Sequence, residues 1–333
     1  MTPRKPRGGV RDWTPVARRL LSPVYLAGLG AIILFAVWVW TTDQPASYFA
    51  LSCVFASIYI TLALAWDFSS GLTGYLNFGL PFFFGIGAFT AGYFAWNGQR
   101  SLPILLLLSL AFGLLGGLLF SLPTLRLRGP YFSLLSLLLP LIGADFVIAF
   151  WAQLGLPTEG YYSLPFLGTN SEAELFFLSA VNGVLLTLFY LARGSHFGLV
   201  LRGIRDDEDA LGSQGIWTFP YKVVAFTLAS GVAAFSGATY ALVVTFAGLD
   251  TFGFTFILLP ILIVILGGTG EIGGSVVAGY VVILLYQYLF QAFSSFTLII
   301  FASVAILLVL FLPRGILGPL RSFIRFMRTP EAP

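Results

Sequence analysis

The sequence predicts an all-α membrane protein, a polytopic transmembrane helical bundle of about ten spans with both termini on the cytoplasmic side. Three observations carry that prediction. Of 333 residues, 58% are hydrophobic and only 9% charged, whereas a soluble domain carries about a quarter charged residues to keep its surface solvated. The apolar residues fall in continuous runs of membrane length, as helices that close their own backbone hydrogen bonds in lipid require, without the alternation of an outer-membrane barrel. The 17 Lys and Arg residues gather on alternate connections, as expected when positive charge is retained inside. One cysteine, Cys53, and one histidine, His196, build neither an intrachain disulfide nor a zinc site.

The runs lie at 24–42, 47–66, 72–96, 102–123, 130–151, 173–192, 223–247, 253–268, 273–293 and 296–312. A basic arm, residues 1–23, precedes them. Its Arg18-Arg19 pair stands before an apolar run as in an export signal. The run from Val24 to Thr42 is longer than a signal core and no small-residue cleavage site follows, so it reads as a retained span. The third run contains Gly71, Gly74, Gly79, Pro81, Gly85 and Gly87 at or within its bounds, which would bend or interrupt a helix. The eighth and ninth are divided by a glycine-rich corner and are expected to be tilted or discontinuous. The transmembrane domain is thus placed at 24–320, with a cytoplasmic tail at 321–333.

With the amino terminus inside, every basic residue except Arg100 falls on an inner segment. A missed or invented span would scramble that asymmetry, so the charge bias also tests the number of spans. Two connections are long. The outer one, 153–172, carries Glu159, Gly160, Tyr161, Tyr162, Pro165 and Glu172, and the inner one, 193–222, is the most polar stretch of the chain.

Between the eighth and ninth runs, Gly268-Thr-Gly-Glu-Ile-Gly273 has the spacing of a dinucleotide fingerprint. A phosphate-binding loop needs a short strand before it and an acid about 20 residues later. Here the flanks are membrane-length and the next acid is Glu331. The glycines read instead as points of close helix approach.

The inner connection reads Gly198-Leu-Val-Leu-Arg-Gly-Ile-Arg-Asp-Asp-Glu-Asp-Ala-Leu-Gly212. Val200, Ile204 and Leu211 recur at helical spacing, Arg202/Asp206 and Arg205/Asp209 form i,i+4 pairs, and Gly212 and Gly215 are stop signals. An amphipathic helix on the cytoplasmic face follows. A magnesium-diphosphate site, as in a membrane transferase, is disfavoured because consecutive acids point around a helix instead of converging. Among the ionisable groups of the spans, Asp145 and, at the inner end of the second, Asp67 stand out. Asn77, Asn182, Gln287 and Gln291 add uncharged polarity. No nucleophile–base–acid arrangement can be assembled, and nothing argues for catalysis by this chain itself. Asn77, Gly79, Gly85 and Asp145 are the candidates for a translocation path, because unwound backbone and buried charge are tolerated where they line a cavity.

Several segments together resemble the permeases of branched-chain amino-acid ABC transporters. They are Gly71-Leu-Thr-Gly-Tyr-Leu-Asn-Phe-Gly79 with Phe82-Phe-Phe-Gly-Ile-Gly-Ala-Phe-Thr90, then Leu125-Arg-Leu-Arg-Gly-Pro-Tyr131 and Leu201-Arg-Gly-Ile-Arg-Asp-Asp-Glu208. Gly215-Ile216, Tyr221-Lys222, Leu266-Gly-Gly-Thr-Gly-Glu-Ile-Gly-Gly274 and Pro313-Arg-Gly-Ile-Leu-Gly318 complete the match. The likeness covers about 71–318 and is to the M-type subunit. Leu80-Pro81 departs from the small or polar residues many members carry there.

The resemblance implies a coupling helix seated on an ATPase subunit, with Arg202, Arg205, Asp206, Asp207 and Glu208 in contact and Ile204 and Leu211 packing. It also implies a second homologous permease subunit, two ABC ATPase subunits and an extracytoplasmic substrate-binding protein, in a prokaryotic inner (plasma) membrane. ATP and magnesium would belong to the ATPase partners, with no cofactor bound by this chain and no nucleic acid. The expected cargo is a branched-chain or other apolar amino acid. A related importer for urea, short amides or sugars, and an ion-coupled secondary carrier, are the alternatives.

Overall fold

The computed structural model describes residues 22–41, 48–127, 129–293 and 303. Most of the basic arm, the tenth expected span apart from residue 303, the motif at 313–318 and the tail at 321–333 lie outside the described residues. What is described is almost entirely helical. In order these elements are α1 (Pro23–Thr41), α2 (Tyr48–Trp66), α3 (Leu80–Trp96), α4 (Leu102–Thr124) and α5 (Pro130–Gln153). They continue as β1 (Gly160–Tyr162), α6 (Ser171–Gly194), α7 (His196–Ser213), α8 (Phe219–Val244), β2 (Phe246–Gly248), α9 (Thr255–Gly267) and α10 (Gly273–Phe293).

Among the described residues, six helices are long and apolar enough to cross a bilayer: α1, α2 with its extension to Gly71, α4, α5, α6 and α8. The apolar helices α3 and α9 are shorter, at 17 and 13 residues. Proline opens α3, α4, α5 and α8 within their first two positions, where its missing N–H would have had no intrahelical partner. At α6 the Asn170 side chain caps by accepting from the Ala173 N–H at 3.0 Å, and Glu172 and Glu174 sit in the first turn, favoured by the helix dipole.

α2 and α8 form the centre. α2 is packed by α6, α8, α9 and α10, and α8 by α2, α3 and α4. Membrane helices have no hydrophobic drive toward one another and associate through close packing and interhelical hydrogen bonds. Both are visible here. A methyl added at Gly87 of α3 would lie 1.8 Å from the Ala234 carbonyl oxygen of α8, and one at Gly237 of α8 would lie 1.8 Å from the Phe84 carbonyl oxygen of α3. The two backbones therefore touch where side chains would otherwise hold them apart. Between α2 and α6, buried Asn182 donates to the Ser57 carbonyl at 2.9 Å and accepts from Thr61 Oγ1 at 2.9 Å.

Antiparallel β1 and β2 pair Tyr161 with Ala247. Arg100 donates to the Ser163 carbonyl at 3.3 Å beside them. α7 lies at the opposite end of the bundle, against the chain breaks described next, and brings Arg202 and Arg205 to the end that holds Arg193.

Candidate functional site

Two interruptions of the helical path meet at the end that carries α7. The first follows α2, which widens into a π-helical turn at Asp67–Gly71 and leaves the helix at Gly74, with φ of +76°. The Gly74 N–H closes the last turn on the Ser70 carbonyl at 2.9 Å, and the chain is then non-helical up to the start of α3 at Leu80. This is the break that the glycines of the third run predict, now located ahead of Leu80. Backbone freed at such a place must find other partners. The Asn77 carbonyl accepts from Trp66 Nε1 at 2.8 Å, and the Asn77 N–H donates to Ser70 Oγ at 3.1 Å. Phe78 N–H donates to Ser136 Oγ at 3.0 Å, and Gly79 N–H to Asn77 Oδ1 at 2.8 Å.

The second interruption is the corner from Gly268 to Ile272, between α9 and α10. Gly268, Gly270 and Ile272 all have positive φ, at 96°, 79° and 40°. For β-branched Ile272 that backbone is costly, and the surroundings must hold it. Asp67 does so. Its fully buried carboxylate accepts from the N–H groups of Gly270 at 2.6 Å and Ile272 at 2.9 Å, and from Ser275 Oγ at 3.2 Å. The carboxylate thus sits at the amino-terminal end of α10, where the helix dipole favours negative charge. From α6, Arg193 pairs both guanidinium nitrogens with the two Glu271 oxygens at 3.2 and 3.3 Å.

α7 lies over both interruptions. Gly198, Val200, Leu201 and Ile204 are buried, so Val200 and Ile204 of the expected stripe face the bundle, while Leu211, its third member, is half-buried beyond a break. The helix is not continuous, however. Asp207 has extended backbone, φ −163° and ψ 104°, and its Oδ1 accepts from the Ala210 N–H at 2.9 Å, capping a second short helical piece. The chain turns back there, so that a methyl at Gly203 would meet Leu211 Cδ1 at 2.9 Å. On an unbroken helix those residues, eight apart, would be about 12 Å apart. The break falls between Arg205 and Asp209, so that expected i,i+4 pair does not sit on one continuous helix. Arg202 Nε donates to the Gly198 carbonyl at 3.4 Å. Gly215, with φ of +81°, follows the end of α7 as its stop signal predicts.

Beyond the break Glu208 turns inward. Its carboxylate accepts from Lys222 Nζ at 2.7 Å, Thr218 Oγ1 at 2.6 Å and the Tyr75 hydroxyl. Lys222 is only 2% exposed and lies 4.6 Å over the Tyr75 ring. Burial pushes the Glu208 carboxyl up, but the three hydrogen bonds and the Lys222 charge outweigh it and hold the group below the usual carboxylate range. Asp206 and Asp207 remain exposed. With Ile204, Arg205, Glu208 and Asp209 they form one wall of a cleft of about 640 Å³, whose other walls come from the 73–78 break and the start of α5.

The candidates for a translocation path are only partly brought together. Asn77 is buried, and Gly79 packs against Leu139 and Ser136 of α5. A small cavity of about 20 Å³ lies there, lined by Asn77, Ser121, Thr124, Ser136 and Ser230 together with apolar side chains such as Phe83, Phe120 and Leu139, and of a size to hold one water. Gly85 sits beneath the Phe252 ring. Asp145 is exposed, on the side of α5 opposite the buried Ser136, Leu139, Gly143 and Val147, and does not join the others. Sequence reasoning missed the joint role of Asp67, Glu271 and Arg193, although Asp67 stood out as an acid at the end of a span. A carboxylate beside a glycine corner is the signal that was available.

The chain matches, over residues 48–312, the family described as the permease component of the branched-chain amino acid transport system. It is 26% identical over 292 residues to the high-affinity branched-chain amino acid transport system permease protein LivM of Escherichia coli (strain K12), covering 78% of this chain and 68% of the relative. The protein of the same name from Salmonella typhimurium (strain LT2) shows the same identity and coverage. No solved structure matches.

Proposed function

The chain belongs to the family of branched-chain amino acid transport permease components, and from that premise we propose that it is the M-type membrane-spanning subunit of an ATP-driven importer. Its cargo is a branched-chain or other apolar amino acid. It spans the prokaryotic inner membrane about ten times with both termini inside. It works with a second homologous permease, two ATP-hydrolysing subunits and an extracytoplasmic substrate-binding protein, and binds no nucleotide itself.

One observation supports this reading most. α7 is an amphipathic helix whose Val200, Leu201 and Ile204 are buried and whose Arg205 reaches both chain breaks, while Asp206 and Asp207 are exposed. A partner pushing on that exposed side would act directly on unwound backbone, which packed membrane proteins reserve for sites of transport. Asp206 and Asp207 are the residues offered to the ATPase, with Ile204 and Leu211 packing the helix to the bundle.

The test is uptake of labelled leucine into vesicles holding the assembled system. Uptake that needs the ATPase subunits, ATP and the binding protein, and that persists with Asp145→Asn, is the expected result. Uptake without ATPase that collapses with Asp145→Asn would establish an ion-coupled carrier instead. ATP-dependent uptake of urea or a sugar, with leucine ignored, would keep the machine and change the cargo.

A further inference from the structure

Arg205 was expected on the ATPase-facing side of α7, with Arg202, Asp206, Asp207 and Glu208. Its guanidinium turns the other way. Nη1 donates to the Gly71 carbonyl oxygen at 2.7 Å and reaches the Thr269 carbonyl at 3.4 Å, and Nη2 donates to Thr269 Oγ1 at 3.3 Å. Gly71 closes the π turn after α2, and Thr269 lies in the corner between α9 and α10. The Gly71 carbonyl lies in the last turn before the helix ends at Gly74, where the Tyr75 N–H is turned to Thr73 Oγ1 instead. The Thr269 carbonyl lies in the non-helical corner, so both are open to a side-chain donor. The fit leaves little slack: a methyl at Gly74 would meet Arg205 Cγ at 3.0 Å, and one at Gly270 would meet Arg205 Nη1 at 3.2 Å.

We propose that Arg205 is a positioning residue that ties the coupling helix to the two chain breaks, so that a displacement of α7 is carried through the Gly71 and Thr269 carbonyls into α2 and α10. Only Arg supplies the geometry. Its planar fork donates in two directions at once, whereas a lysine ammonium is a single point on a flexible stem. Asp67 makes the far side of the joint stiff, because it fixes Gly270 and Ile272 to the base of α2. Arg193, paired with Glu271, ties the same corner to α6. The corner therefore moves with α2, and Arg205 is the member that adds the coupling helix to that unit. An ATPase contact would predict that loss of Arg205 weakens assembly, whereas a tie predicts intact assembly and lost transmission.

This proposal rests on the reading of α7 as the coupling helix, and the two are separable by experiment. Arg205→Ala, Arg205→Lys and Thr269→Val are made in the complete complex, alongside Asp206→Ala/Asp207→Ala. ATPase co-purification, basal ATP hydrolysis, its stimulation by the loaded binding protein and leucine uptake are measured on equal amounts of assembled complex. For Arg205→Ala, co-purification and basal hydrolysis are expected to be unchanged while stimulation and uptake fall about tenfold, the range of ordinary coupling energies. Arg205→Lys is expected to recover only part of that loss, and Thr269→Val, which keeps the carbonyl, to lose less than Arg205→Ala. Loss of the ATPase from Arg205→Ala and Arg205→Lys together would make Arg205 a docking residue, and unchanged stimulation would make it dispensable. Either overturns the tie. An Asp206/Asp207 variant with wild-type ATPase assembly and stimulation would sink the coupling-helix reading itself, whatever Arg205 does.

Discussion

Asp67 and Gly270 stand 203 positions apart in the chain, yet the Gly270 N–H donates to Asp67 Oδ1 at 2.6 Å in the interior of the protein. An ionised carboxylate deprived of water is costly unless its lone pairs are filled. Here two N–H groups and the Ser275 hydroxyl fill them. The bond therefore works as an anchor for the turn between α9 and α10, and substitutions at either side test it.

Asp67→Ala removes three hydrogen bonds and leaves two buried N–H groups without acceptors. The expected loss is about 3–5 kcal/mol, the scale for breaking a buried charged network. Thermal unfolding in detergent reads it as a large fall in midpoint. Gly71→Ala should come close to the same loss, because its methyl would lie 2.0 Å from Asp67 Oδ1. A variant Gly71→Ala with the parental midpoint would refute the anchoring geometry.

Glu208→Ala strands Lys222, which is 2% exposed, and is expected to destabilise by about 3–5 kcal/mol. Glu208→Ala with Lys222→Met should recover part of that loss, because no unpaired charge is left buried. A double-mutant cycle in which the two effects simply add would show the ion pair to be incidental.

The same pair sets a pH dependence. The Glu208 carboxyl is held below its ordinary value, so it is ionised in the folded chain at pH values where an unfolded chain's glutamate takes up a proton. Its contribution is complete above the unfolded value of about 4.3 and fades as pH falls through the lowered folded value. Between about pH 5.5 and 8, exchanging Glu208 for Gln should change stability by a constant amount, and the difference should shrink only in stronger acid. A difference that varies across the neutral range would contradict this.

Gly237→Ala places a methyl 1.8 Å from the Phe84 carbonyl oxygen and should cost about 1–3 kcal/mol through forced backbone displacement. Gly30→Ala is the matched control, since a methyl there has nothing within 4 Å, and the expected change is within about 0.5 kcal/mol. Equal midpoints for the two variants would show that α3 and α8 do not pack as described.

Much of the helical framework is legible in the chain, because membrane-length apolar runs are a one-dimensional signal. Glycines 71 to 79 also announce a broken path, and Val200 and Ile204 announce the buried side of α7. Three things are not legible, and each for a physical reason. The turn at Asp207 depends on a side chain capping Ala210, a local contest between two ways of satisfying backbone that spacing alone does not decide. Arg205 has an acceptable partner at Asp209 by spacing, but carbonyls from residues 71 and 269 are nearer once the chain is folded, and a sequence has no measure of that nearness. Asp145 looked interior because charge is expensive in lipid, yet the fold puts Ser136, Leu139, Gly143 and Val147 on the packed side of α5 and leaves Asp145 on the other.

The contact between α3 and α8 has a mechanical consequence. Helices that meet through side chains can shear, since rotamers give way and re-seat a fraction of a turn further on. Where Gly87 and Gly237 each press on the other helix's carbonyl, nothing is present to give way. α3 and α8 therefore translate and tilt as one strut, and any opening or closing of the bundle has to be hinged around that strut instead of sliding along it.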